Sequence, residues 1–206
     1  LAELGSYEQT KAVVEFARHT PSVEGVTLSV RALTAWHAHV NAAKRPALYR
    51  AIAEIQGATG MLTRWDVAPP ATRDGVAKLL AMFPQPVDAS TSHLAIGAEA
   101  RLTLQRGAKA WHVALTPIEV GVPTSVEFLG SSNSLFDVYL NGKAIHTRAK
   151  PGKFQLDSER FTGMLDKGRN RIAVVLGDTD LIDFHLRFRR KSSKDEHEKL
   201  TQLALS

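Results

Sequence analysis

Three carboxylates crowd one short stretch of the chain, Gly177-Asp-Thr-Asp-Leu-Ile-Asp183. Calcium takes several oxygen ligands at about 2.3–2.6 Å, and Asp178, Asp180 and Asp183 are of the right type to supply some of them. The spacing lacks the glycine and terminal glutamate of an EF-hand loop, and an acidic hairpin turn is the alternative. A second constellation lies on and around Phe136-Asp-Val-Tyr-Leu-Asn-Gly-Lys143. On a strand, Phe136, Val138 and Leu140 face one way, and Asp137 and Tyr139 the other. A solvent-side Tyr139 offers a flat apolar face with a hydroxyl at its rim. That shape suits stacking on a sugar ring while polar neighbours bond the ring hydroxyls. Asp137, Asn133 and His146 are the candidate neighbours. The alternative is that Tyr139 is an ordinary strand residue or packs under a loop. Trp65 and Trp111 are expected in the core, since Trp111 shares a strand face with Val113 and Leu115.

Other chemistries find little purchase. His37 and His39 are two apart on an expected helix and point to different sides, so they do not share a metal. Zero cysteines exclude disulfides, thiolate metal sites, cysteine nucleophiles and c-type haem attachment within the 206 residues. The chain contains no G-x-S-x-G elbow, P-loop or H-E-x-x-H motif, so no enzymatic activity is expected. Gly130-Ser-Ser-Asn-Ser134 reads as a turn between strands, with no following helix to make it a phosphate loop. Net charge is +5, and much of the excess sits in Arg187, Arg189, Arg190, Lys191 and Lys194. These alternate with Leu186 and Phe188 as the outer face of a strand would, so nucleic acid is not expected as a partner.

The elements that must position these residues fall into two regimes. From Ser6 to Gly60 the apolar period is helical. Ser6 and Gln9 have capping-box spacing before Val13, Val14, Phe16 and Ala17, and Pro21 is expected to break that helix. Val26, Val30, Leu33, His37 and Val40 form a second stripe. Pro46 opens a third helix carrying Leu48, Ile52 and Ile55, stopped by Gly57 and Gly60. Met61-Leu-Thr-Arg-Trp-Asp-Val67 alternates like a strand, Thr72 caps a short helix ending at Phe83 and Pro84, and 86–92 reads as loop. From about 97 onward the period is two. Strands are expected around Leu102–Leu104, Trp111–Leu115, Val126–Phe128, Phe136–Leu140, Ile145, Phe161–Leu165, Ile172–Leu176 and Ile182–Phe188, with a left-handed Asn141-Gly142 hairpin turn. The fold class is therefore α+β, segregated: helices first, then an antiparallel β-sandwich. The expected units are 1–58 helical, 59–96 connector, 97–190 sandwich and 191–206 linker helix. No run of about 18 apolar residues is present, so no membrane span is expected.

The run DVYLNGKAIHTR, then LDKGRNRIAVVLGD, then DFHLRFRR, resembles the galactose-binding-like jelly-roll modules of large multidomain bacterial proteins. The N-terminal helices are similar in length and spacing to the end of a HEAT-type repeat array. The tail RRKSSKDEHEKLTQLALS looks like the linker before a c-type cytochrome domain in such proteins. This resemblance implies a non-catalytic, carbohydrate- or polysaccharide-binding module in a periplasmic or extracellular protein. The alternative is a structural spacer that positions a neighbouring cytochrome or dehydrogenase-like domain and binds no small ligand. It implies no cofactor in the chain itself beyond the calcium considered above; haem would belong to a following domain. The chain opens at Leu1 with no basic stretch and apolar run after it, so no leader is expected in view, and an excised piece of a longer protein is.

Overall fold

The computed structural model describes residues 6–20, 22–81, 91–97, 99–105, 110–177 and 179–191. Pro21, Phe83, Pro84, Asp178, Lys194 and most of the expected linker 191–206 lie outside them. Three helices come first: α1 (Thr10–His19), α2 (Val23–His39) and α3 (Arg45–Thr59). Ser6 N–H donates to Gln9 Oε1 at 3.0 Å, and Ser22 caps α2 by accepting from Gly25 N–H at 3.3 Å. α3 ends at Gly60, whose φ of 73° is left-handed. Val14, Ala17, Val26, Val30, Leu33, Trp36, Leu48, Ile52 and Ile55 form one apolar cluster among these helices.

The rest is a β-sandwich of ten strands in two antiparallel sheets. β1 (Arg64–Val67), β2 (Thr91–Leu94), β4 (His112–Val120), β6 (Leu135–Leu140), β7 (Lys143–Arg148) and β9 (Gly168–Gly177) form one sheet in the order β2-β1-β4-β9-β6-β7. β3 (Leu102–Gln105), β5 (Thr124–Ser132), β8 (Glu159–Leu165) and β10 (Leu181–Arg190) form the other in the order β3-β10-β5-β8. Trp65, Ile118, Phe128, Phe136, Val138, Val174, Phe184 and Phe188 interdigitate between the sheets, and the inward alternation of β6 and β10 is as read from sequence. The 59–96 segment contributes β1 and β2 to the six-stranded sheet. Its helix α4 (Arg73–Ala81) starts with Thr72 Oγ1 accepting from Gly75 N–H at 3.2 Å. α4 covers the outer face of that sheet, where Val76 joins Ala68, Val113, Leu115, Ala173 and Val175. Trp111 packs half-buried at the margin of this cluster. Among the described residues no helix is long and apolar enough to cross a membrane.

α3 packs along β4. β1 pairs with β4 at Asp66↔Leu115 and Val67↔Ala114, and Ala68 and Ala71 bond the chain just before Ala114, which leaves the β4 edge beyond Leu115 to the helix. Gln56 on α3 is fully buried and stands in for the missing ladder. Its Nε2 donates to Thr116 Oγ1 at 2.9 Å and to the Pro117 carbonyl at 2.7 Å. Its Oε1 accepts from the N–H groups of Thr63 and Arg64, both at 3.0 Å. One side-chain amide thus satisfies two backbone N–H groups, one carbonyl and one hydroxyl of the junction.

Candidate binding site

The structure separates the four residues expected around Tyr139. Tyr139 and Asp137 do face outward from β6, but Tyr139 is half-buried, packed against the outer-face cluster that includes Val76 of α4. Burial, with Asp137 nearby, raises its phenol above the ordinary range. His146 pairs with Val138 across β6–β7 and faces the opposite side of the sheet. Its ring stacks on Phe161, centroids 4.3 Å apart, and its Nε2 lies 3.3 Å from Glu159. Burial lowers its pKa against the pull of Glu159. Asn133 sits in the β5–β6 turn and is spent on internal bonds: Nδ2 donates to the Leu181 carbonyl at 2.8 Å, and Oδ1 accepts from Asp183 N–H at 2.9 Å.

The acidic stretch is also partly engaged. Asp183 accepts from Thr103 Oγ1 at 2.8 Å and lies 3.6 Å from Arg101. Asp180 is exposed. Asp178 lies outside the described residues. Among the described residues no three His, Asp or Glu side chains converge on a metal-sized space. His37 is half-buried on α2 and His39 exposed. Of the basic residues of β10, Arg187 pairs with Asp157 and Arg189 with Glu127.

The Asn141-Gly142 turn and the start of β9 build instead a pocket of about 430 Å³, lined by Leu80, Ala81, Asn141, Gly142, Arg169, Asn170 and Arg171. Asn141 (φ 50°) and Gly142 (φ 84°) make the left-handed hairpin turn. Asn170 is fully buried and latches that turn to the next. Its Nδ2 donates to the carbonyls of Asp166 at 2.8 Å and Gly168 at 3.2 Å. Its Oδ1 accepts from Asp166 N–H at 2.8 Å and from Asn141 Nδ2 at 3.0 Å. Asn141 Oδ1 in turn accepts from Arg171 N–H at 2.9 Å. With Asn170 and Ile172 inward, Arg169 and Arg171 fall on the outer face with Ala173 and Val175.

The pocket borders a polar–aromatic cluster between α3 and the sheet. The Tyr49 hydroxyl donates to Asp66 at 3.1 Å. Arg64 is 4% exposed at its side chain and grips Asp66 with both guanidinium ends at 2.9 Å. Ser92 bridges the same pair. The guanidinium of Arg64 lies 5.0 Å, and that of Arg169 5.8 Å, from the Tyr49 ring centre. Burial and the Asp66 carboxylate push the Tyr49 phenol up to about 12. Burial lowers the Arg171 pKa, and the charge of Arg169 adds to that, while Tyr49 and Asp66 act against it. The sequence runs quoted above contain Asn141, Arg169 and Arg171, but sequence reasoning did not single them out as site residues.

No family profile matches the chain, and no curated protein matches it. Among solved structures it is similar to a β-glucuronidase of an uncultured Clostridium species, at 19% identity and TM-score 0.41 over 57% of this chain and 21% of that one. It is similar to the GH26-CBM35 β-(1,4)-mannanase of Podospora anserina, at 12% identity and TM-score 0.34 over 44% of this chain and 25% of that one. A family 35 carbohydrate-binding module of Clostridium thermocellum aligns at 11% identity and TM-score 0.27, over 44% of this chain and 92% of that one. The chain spans about a fifth of the length of the β-glucuronidase. These likenesses are too distant to assign an activity.

Proposed function

We propose that the chain is a non-catalytic carbohydrate-binding module of a larger, exported, multidomain protein. The observation that carries this reading is the pocket at the two linked turns. Amide and guanidinium groups meet there beside the apolar Leu80 and Ala81, a mix that bonds sugar hydroxyls and covers an apolar ring face. The resemblance of the two turn motifs to galactose-binding-like modules supports it. The reading includes HEAT-like helices ahead of the sandwich and a neighbouring c-type cytochrome domain, supported by the helix spacing and by the tail beyond Lys191. It also includes a periplasmic or extracellular location. Calcium at Asp178, Asp180 and Asp183 belongs to the same proposal.

Affinity electrophoresis through a panel of soluble polysaccharides, with and without calcium, tests the reading. Retardation by at least one polymer, weakened in Arg169→Gln at unchanged thermal stability, is expected. Equal mobility in every gel rejects it.

A second reading, a spacer without a small ligand, is favoured by one observation: Tyr139 is half-buried against the apolar cluster on the outer face of the six-stranded sheet. It predicts that attaching the following domain raises the melting temperature and protects backbone amides within 97–190.

A further inference from the structure

Resting on the carbohydrate reading, we propose that the pocket at the Asn141-Gly142 turn selects an acidic glycan, with an oxyanion of the polymer seated against Arg169. The argument is one of charge and geometry. Arg50, Arg64, Arg169 and Arg171 gather along this face. Arg64 is held by Asp66 with two 2.9 Å contacts. Arg50 lies 3.7 Å from Glu119. Glu119 is the cross-strand neighbour of Arg169, yet its carboxylate is turned to Arg50. Arg169 itself makes no ion pair among the described residues; what it contacts is the face of Tyr49. Arg171, two residues on and on the same face, adds a second positive charge to the pocket lining, and it also feels Tyr49 and Asp66. Residues i and i+2 of a strand stand about 6–7 Å apart, so the two guanidiniums repel each other across the pocket.

An anion relieves that repulsion, and a guanidinium presents a planar fork that matches a carboxylate or a sulfate ester. The rest of the lining suits the remainder of a sugar. Leu80 and Ala81 supply an apolar wall, and Asn141 and Gly142 an open polar rim. A volume of about 430 Å³ falls within the range of roughly 300–1,000 Å³ usual for small-ligand pockets. One charged sugar unit fits such a space, with its neighbours running out past the turn. The nearest acidic side chain on the rim, Asp166, lies 3.3 Å from Asn141 Nδ2; it faces the turn amide.

The test uses the whole chain and four probes: polygalacturonate, dextran sulfate, neutral dextran and neutral galactomannan, by affinity electrophoresis and titration calorimetry. Two variants accompany it. Arg169→Gln removes the proposed contact at an exposed position. Arg160→Gln removes one positive charge from the other sheet, on exposed β8. The expected result is binding of an anionic polymer, weakened about tenfold or more by Arg169→Gln and unchanged by Arg160→Gln. Polygalacturonate against dextran sulfate then says whether the oxyanion is a carboxylate or a sulfate. Equal weakening by both variants would mean diffuse surface charge and overturns the inference. Binding of a neutral polymer alone overturns it too, while leaving the carbohydrate reading in place. Silence from all four probes defeats both.

Discussion

The side-chain amide of Asn141 donates to the side-chain carbonyl of Asn170 at 3.0 Å, so two turns 29 residues apart share one hydrogen-bonded latch. Asn170 is fully buried and makes four side-chain bonds. Asn170→Ala strands the backbone groups of Asp166 and Gly168 and the Asn141 amide. A cost of about 2–4 kcal/mol is expected, since each stranded buried group costs about 1–3 kcal/mol. Urea unfolding checks it. Any ligand affinity of the neighbouring pocket should fall as well, because the strand carrying Arg169 and Arg171 loses its anchor.

Two glycines separate close packing from turn geometry. A Cβ on Gly57 would overlap the Glu119 carbonyl oxygen, whereas one on Gly142 meets nothing within 4 Å. Gly57→Ala therefore drives α3 off β4 and should cost more than about 3 kcal/mol, as overpacking against fixed backbone does at its upper end. Gly142→Ala carries only the strain of its 84° φ, about 1–2 kcal/mol. Thermal melts of the two variants should differ clearly; similar melts would mean that the helix is free to shift.

Acid should destabilise this fold in two separate windows. His37, His146 and His185 each have a lowered pKa with burial as the first cause. Their neutral forms are favoured in the folded state. Stability is therefore complete above about pH 6.5, the unfolded value, and declines as pH falls below it because the unfolded chain takes up the protons. His185, 3% exposed with Nε2 3.3 Å from Asp157, should dominate, and His185→Gln should flatten the slope of unfolding free energy between about pH 7 and 5. Asp157 acts lower. Arg187 depresses its pKa, followed by the nearby His185 charge against the cost of burial. Its contribution holds above about pH 3.9 and is lost as pH falls further.

The alkaline side reports on the cluster beside the pocket. Tyr49 is pushed to about 12, against about 10 in the unfolded chain. The proton is bound more tightly in the folded state, so this contribution is present below about pH 10 and lost as pH rises towards 12. Tyrosinate absorbance should show a late component that disappears in Tyr49→Phe. A titration finished by about pH 11 would show that Tyr49 is not buried against Asp66.

Alternation made the strands legible. Ile182 to Phe188 and Phe136 to Leu140 each bury every second residue as their spacing demands, and the Thr72 and Gly60 signals mark real helix ends. β2 escaped notice because Thr91-Ser-His-Leu94 is four residues long with no apolar alternation; it exists through pairing with β1. For Tyr139, alternation fixed the side of the sheet but not its cover, an outer-face cluster that includes Val76 of α4, about sixty residues earlier in the chain. Asn133 and Asp183 read as surface polar groups because their spacing carries no sign that they bond to each other's backbone. The pocket at the turns needs Leu80, Asn141 and Arg169 to converge, which no local pattern encodes.

The Gln56 junction bears on how the chain is to be handled. β4 beyond Leu115 has no strand on its β1 side; a helix and one amide occupy that edge. Truncating the protein at the end of the helices, to isolate the sandwich, bares backbone N–H and C=O groups on a strand that is almost wholly buried in the full chain. Such an edge pairs with its own kind, so the shortened protein should be recovered as aggregate while the full chain stays dispersed.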